Sequence, residues 1–166
     1  MKPTLYLMVG YPGAGKTTVS QMLHKLTGAE HLWADHVRKE RFGQPTYTRS
    51  ENSELYDRLD QETARLLGEG KSVVYDTNFK FQDDRQKLRD IATKAGAKTV
   101  LIWVQTPAQI AKERATTLGN VIGRMTEADF DRLIDKLEEP QPDENPIIID
   151  GTKVDEAYLQ AHVLDR

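Results

Sequence analysis

Gly10-Tyr11-Pro12-Gly13-Ala14-Gly15-Lys16-Thr17 is the stretch on which the fold turns. It matches G-x-x-x-x-G-K-[ST], the pattern of a loop that wraps phosphate groups, and its flanks have the structure such a loop needs. Before it, Leu5-Tyr6-Leu7-Met8-Val9 is an unbroken apolar run, as expected of a parallel strand covered on both faces. After it, Val19, Met22, Leu23 and Leu26 recur at helical spacing, and Gly28 follows as a stop. The strand thus delivers a glycine-rich turn to a helix N-terminus, where free backbone N–H groups and the positive end of the dipole face an anion. Gly13 and Gly15 let the backbone approach phosphate oxygens that a Cβ would obstruct. The expected phosphate cradle is Gly13, Ala14, Gly15, Lys16, Thr17 and Thr18. Lys16 is placed to reach the β- and γ-phosphates of a nucleoside triphosphate, and the hydroxyl of Thr17 to coordinate magnesium.

The 166 residues fit one domain, 1–166, with room for a substantial core. The absence of cysteine excludes disulfides and thiolate metal sites. The apolar run before Gly10 is too short for a signal peptide or a membrane span, so a soluble cytoplasmic protein is expected. A formal net charge of −3 argues against general duplex binding, where lysine and arginine must neutralise phosphates, but leaves room for a local basic groove. No repeat or low-complexity tract interrupts the chain, and Gln141-Pro142-Asp143-Glu144-Asn145-Pro146 reads as a polar, proline-bounded loop.

Strands are expected near 4–9, 31–34, 72–76, 99–104 and 146–150, and helices near 16–27, 51–67, 83–95, 107–117 and 127–137, with a last helix at 154–163 over the sheet edge. Thr106-Pro107 and Thr126, the latter ahead of Glu127 and Asp129, read as N-terminal caps. The alternation implies an α/β fold of the P-loop NTPase type: a three-layer αβα sandwich with a five-stranded parallel sheet, flanking helices and a lid.

Ligands of open parallel sheets gather at the carboxyl ends of the strands, so the residues there are the candidates. Asp35 follows the second strand, and Arg38 lies about one helical turn on if a helix begins there. The carboxylate is suited to accept the proton of an attacking hydroxyl, and the guanidinium to hold a phosphate or carboxylate of the acceptor. The plain alternative is a capping Asp35 and a solvated Arg38. After the third strand, Asp76 is the magnesium-side candidate and Asn78 an acceptor-binding one; the roles of Asp35 and Asp76 are interchangeable on sequence alone, and Asp76 and Asn78 each also read as turn residues. The segment 115–125, with Gly119 and Gly123 and no apolar period, reads as a lid whose closure excludes water. Arg114 and Arg124 are candidates to neutralise charge on the transferred group, against the ordinary reading of solvated arginines.

Other residues take plainer readings. His24 falls off the apolar stripe of its helix and reads as exposed, His31 and His162 have no recognisable partners, and His36 reads as a surface residue beside Asp35. Arg85, after Asp83 and Asp84, suggests a structural ion pair, and Phe42 and Tyr47 among Arg38, Arg41 and Arg49 suggest packing more than a base-stacking patch. The stretch 147–150 with Gly151-Thr152 is a candidate to bring backbone to an adenine ring.

Taken together, the loop at 10–17, Asp35-x-x-Arg38, Asp76-Thr77-Asn78 and Glu113-Arg114 before a lid resemble the small P-loop kinases grouped with polynucleotide 5′-hydroxyl kinase, zeta toxins and chloramphenicol phosphotransferase. The resemblance implies a five-stranded kinase fold and transfer from ATP, with magnesium, to a hydroxyl. By analogy with the polynucleotide kinases it makes Asp35 the general base, Arg38 the contact to an acceptor phosphate, and Arg114 or Arg124 the contact to the moving phosphate. Relatives often repeat arginine soon after the Glu-Arg pair, whereas Ala115, Thr116, Thr117 and Leu118 stand here. The chain has no room for the phosphatase domain attached to some polynucleotide kinases. The expected function is therefore a kinase acting on a hydroxyl, including a phosphate-bearing one such as a nucleic acid 5′ end or a nucleotide. The alternative is a nucleotide switch that couples hydrolysis to a partner.

Overall fold

The computed structural model describes residues 2–166. Five strands, β1 (Thr4–Val9), β2 (Glu30–Trp33), β3 (Val73–Asp76), β4 (Lys98–Gln105) and β5 (Ile147–Asp150), form one sheet in the order β2-β3-β1-β4-β5. Every pairing is parallel, which accounts for the unbroken apolar runs of the central strands: all of β1 and β3 is buried.

Side chains alternate across the sheet and meet a helical layer on each face. Leu5, Leu7, Val9, Val73, Tyr75 and Leu101 pack against α2 (Ala34–Phe42), α3 (Arg49–Gly68) and α4 (Gln82–Lys94). On the other face Tyr6, Met8, Val74, Ile102, Val104 and Ile149 pack against α1 (Lys16–Thr27) and α7 (Glu156–Leu159), which continues as a π-helical turn, Gln160–Leu164. This gives the three αβα layers expected. Because β1 feeds α1 on one face and β3 feeds α4 on the other, a crevice opens between the carboxyl ends of these neighbouring strands. No helix among the described residues is long and apolar enough to cross a membrane.

Three local expectations need correction. The strand expected at 31–34 ends at Trp33 and the chain turns directly into α2, so Asp35 lies in the first turn of the helix that the Arg38 spacing supposed. The helix expected at 107–117 is α5 (Ala108–Glu113) followed by a π-helical turn, Arg114–Leu118. Thr106 does not cap it; its hydroxyl donates to the carbonyl of Ala14 instead, at 2.8 Å. Thr126, by contrast, accepts from the N–H of Asp129 and caps α6 (Glu127–Asp135) as read.

Arg85 is the largest fully buried side chain, and its partner is not the neighbouring Asp83 or Asp84. It donates Nε and Nη2 to the two carboxylate oxygens of Glu144, at 2.8 and 3.0 Å, and Nη1 to the carbonyl of Phe79. The proline-bounded loop is thereby pinned to α4. Burial pushes the Glu144 carboxyl up, but hydrogen bonds from Arg85, the Gln141 N–H and Arg89 outweigh it and hold the group at about 2. A carboxyl depressed from 4.5 contributes stability that is complete above about pH 4.5 and fades as pH falls towards 2. Arg85→Ala leaves Glu144 buried without its main partner and is expected to cost about 3–5 kcal/mol at neutral pH, measured by urea unfolding. A loss below about 1 kcal/mol would show that the pair is not a structural pin.

Candidate active site

The crevice is closed at its base by contacts between the loops that leave β1 and β3. Phe79 N–H donates to Met8 O at 3.1 Å, and Gly10 N–H to Asn78 Oδ1 at 3.4 Å. Asn78 thus braces the first residue of the phosphate loop through Oδ1. Gly13 and Gly15 have φ of 80° and 113°, in the left-handed region that glycine adopts without strain. A Cβ at Gly13 would in addition overlap the Ala111 carbonyl. Gly151 is equally constrained by contact, since a Cβ there would overlap the Thr106 hydroxyl and the Ala14 carbonyl. The loop after β5 and Thr106 therefore clamp the phosphate loop from behind.

Lys16 donates Nζ to the carbonyls of Gly10 and Tyr11, at 3.0 and 2.7 Å, and is folded over the loop it belongs to. Burial pushes its ammonium down to about 8; Asp76 and Asp35 oppose that shift and Lys80 adds to it. Asp35 is pushed up, first by burial and then by the charge of Asp76, against Arg38 and Lys16. Lys16, Asp35 and Asp76, carried beyond or at the ends of β1, β2 and β3, lie close enough for their charges to act on one another. Thr17 is half-buried at the head of α1, and Thr18 is exposed beside it.

Asp76 is buried, and its Oδ2 meets Nε2 of His31 at 2.9 Å. His31, read from sequence as partnerless, is therefore part of this site. No cluster of three or more metal-ligating side chains occurs among the described residues. That donor set does not suit an all-protein metal cage, but a hydroxyl and one carboxylate suit magnesium, which keeps most of its waters and takes phosphate oxygens.

Arg38 departs from the role expected of it. It is 3% exposed, donates Nη1 to Glu51 at 2.6 Å and lies under the Tyr47 ring, 4.5 Å from its centroid. Glu51 also accepts from the N–H groups of Thr46 and Tyr47, at 3.0 and 2.9 Å, which holds Tyr47 at a φ of 55° with its ring exposed. The guanidinium contributes positive charge near Asp35, with Nη1 engaged by Glu51 and Nε buried without a hydrogen-bond partner. Phe42 and Tyr47 do pack on arginines, Phe42 on Arg41 and Tyr47 on Arg38.

The segment 115–125, read from sequence as a lid, reaches Asp35. Residues 120 and 123 exchange backbone hydrogen bonds, and Met125 N–H donates to Ala115 O at 3.0 Å. From the tip, Asn120 Nδ2 donates to Asp35 Oδ2 at 3.2 Å, and Lys39 Nζ to the carbonyl of Val121 at 3.1 Å. Ala115 and Met125 pack with Phe130 and Tyr11 in a small separate core. Of the two lid arginines, Arg114 sits with Nη1 within 3.5 Å of the carbonyls of Gly13, Ala14 and Gly151, behind the phosphate loop. Arg124 is exposed and forms no ion pair among the described residues. A cavity of about 770 Å³ opens beyond Tyr11, between Trp103, Pro107, Leu137 and Ile148, and is lined by none of Lys16, Asp35 or Asp76.

A family model described as an AAA domain matches residues 5–140. No curated protein matches the chain. Among solved structures, the APS kinase CysC of Mycobacterium tuberculosis, in complex with AMPPNP and APS, superposes with a TM-score of 0.72 at 18% identity, over 99% of this chain and 96% of that one. A gluconokinase from Sinorhizobium meliloti 1021 gives 0.70 at 16% identity, covering 98% and 90%. Kti12 from Chaetomium thermophilum, in complex with ADP-AlF3, gives 0.74 at 18% identity, covering 95% and 94%. These likenesses establish a P-loop kinase-like fold without singling out the polynucleotide kinase, zeta toxin or chloramphenicol phosphotransferase group.

Proposed function

The chain belongs to the AAA domain family, and from its site we propose an ATP- and magnesium-dependent kinase that moves the γ-phosphoryl group onto a hydroxyl acceptor. The observation that carries this reading is Asp35, a carboxylate made more basic by burial and by Asp76, close enough to Lys16 for each to shift the other. A carboxylate of raised basicity is suited to take a hydroxyl proton. As the acceptor oxygen bonds to the γ-phosphorus, the bond to the bridging oxygen breaks, ADP leaves and the proton passes to Asp35.

The phosphate cradle of Gly13, Ala14, Gly15, Lys16, Thr17 and Thr18 supplies N–H groups and the Lys16 ammonium to the triphosphate. Magnesium, for which Thr17 and Asp76 are the proposed ligands, neutralises β- and γ-phosphate charge when bound. Arg114, already against the loop, and Arg124, exposed on the lid, are the candidates to meet the transferring group. Asn78 acts by bracing Gly10. Resemblance to the polynucleotide kinases makes a nucleic acid 5′ end or a nucleotide an acceptor to be tested, but Arg38 would have to leave Glu51 to hold its phosphate.

Incubation with magnesium and γ-labelled ATP, alone and with 5′-hydroxyl DNA and RNA, nucleosides, nucleotide-sugars and antibiotics, tests the reading. Label is expected on one acceptor class and is expected to vanish in Lys16→Ala. Free phosphate alone, unaffected by any acceptor, would overturn it in favour of a nucleotide switch.

A further inference from the structure

We propose that His31 is a positioning residue, holding the Asp76 carboxylate in place against the phosphate loop. The inference rests on reading Asp76 as the magnesium-side group. On β2 and β3 the register pairs His31 with Val74 and Trp33 with Asp76, so the four side chains share the sheet face that α1 covers. Nε2 of His31 meets Oδ2 of Asp76 at 2.9 Å, with only 13% and 4% of the two side chains exposed.

The imidazole is itself fixed. One face stacks on Trp33, with centroids 5.5 Å apart and planes 10° from parallel, and the His24 ring stands 6.4 Å from it on α1. Trp33 in turn stacks on His36 at 5.2 Å. A ring held on its face leaves the edge nitrogen one direction in which to donate, and Asp76 lies there.

Asp76 needs such a hold. Asp35 is close enough to feel its charge, and Lys16 attracts both carboxylates. Released, Asp76 is drawn towards Lys16 and away from Asp35 rather than kept where a cation beside Thr17 would meet it. Among the described residues, Oδ2 is the oxygen engaged by His31, which leaves Oδ1 for a ligand or its water. Partners that orient a metal ligand in this way change affinity by about 10–100-fold when removed.

The test uses His31→Phe, which keeps a ring against Trp33 but removes the donor, and His31→Gln, whose amide nitrogen restores it. Affinity for Mn²⁺ in the presence of ADP is read by electron paramagnetic resonance, alongside metal-free ADP affinity and the thermal midpoint. His31→Phe is expected to weaken Mn²⁺ about tenfold with metal-free ADP affinity unchanged, and His31→Gln to recover most of that loss. His31→Asn, too short to reach Oδ2, replaces the phenylalanine variant if the latter does not fold. Parental Mn²⁺ affinity in His31→Phe or His31→Asn, with a loss in Asp76→Asn, would overturn the role of His31 alone. Parental affinity in Asp76→Asn as well would overturn the reading of Asp76 and the proposal with it.

Discussion

A Lys16→Ala protein is expected to transfer phosphoryl groups slower by a factor on the order of 10³, the scale on which fixed charge facing a developing phosphate charge acts. Its ammonium is folded onto the carbonyls of Gly10 and Tyr11, so on binding it exchanges these two hydrogen bonds for the charged γ-phosphate. The same residue gives a pH signature. Burial, helped by Lys80 and opposed by Asp76 and Asp35, brings Lys16 down to about 8 in the free protein. Below that value the ammonium form dominates and attracts the triphosphate; above it the charge is lost. ATP affinity is therefore expected to fall as pH rises through about 8, and calorimetry between pH 6.5 and 9.5 measures it. Affinity unchanged across that range would show that this lysine is not the group recognising the triphosphate.

Asp35→Asn separates binding from chemistry. The amide is nearly isosteric, keeps an oxygen to accept from Asn120, and removes the group that takes the hydroxyl proton. Transfer to the acceptor is expected to fall by about 10²–10⁴-fold while ATP affinity changes little, which a comparison of single-turnover rate with equilibrium binding detects. Turnover within threefold of the parent would move the base elsewhere, with Asp76 the next carboxylate. Because Asp35 is pushed up by burial and by Asp76, the parent's rate is expected to rise with pH through a value above the ordinary carboxylate range, and Asp35→Asn to flatten that limb.

Local rules carry far in this chain. β1 and α1 have the bounds that the apolar run, the helical spacing and Gly28 indicate, because both elements are set by short-range periodicity and by one left-handed glycine. The sandwich follows from the alternation of elements. What escapes are pairings made by the sheet order. β3 lies between β1 and β2, which places His31 against Asp76 across 45 residues, and no local pattern encodes that neighbour. Arg38 is similar: its spacing from Asp35 is readable, but its capture by Glu51 depends on how α2 and α3 pack. Thr106 has the appearance of a helix cap, yet the clamp on Ala14 takes its hydroxyl, since that carbonyl is buried and needs a donor. The glycines and missing apolar period of segment 115–125 are legible, but its contact with Asp35 through Asn120 is not.

That contact ties the segment to the proposed site. The amide of Asn120 holds one oxygen of Asp35, and Lys39 fastens the carbonyl of Val121 beside it. On the proposed function, an acceptor that binds at this oxygen displaces the Asn120 amide and loosens the hold on the segment. A hydrogen bond to a charged group is worth about 1.5–3 kcal/mol net, so Asn120→Ala is expected to loosen the segment by no more than that.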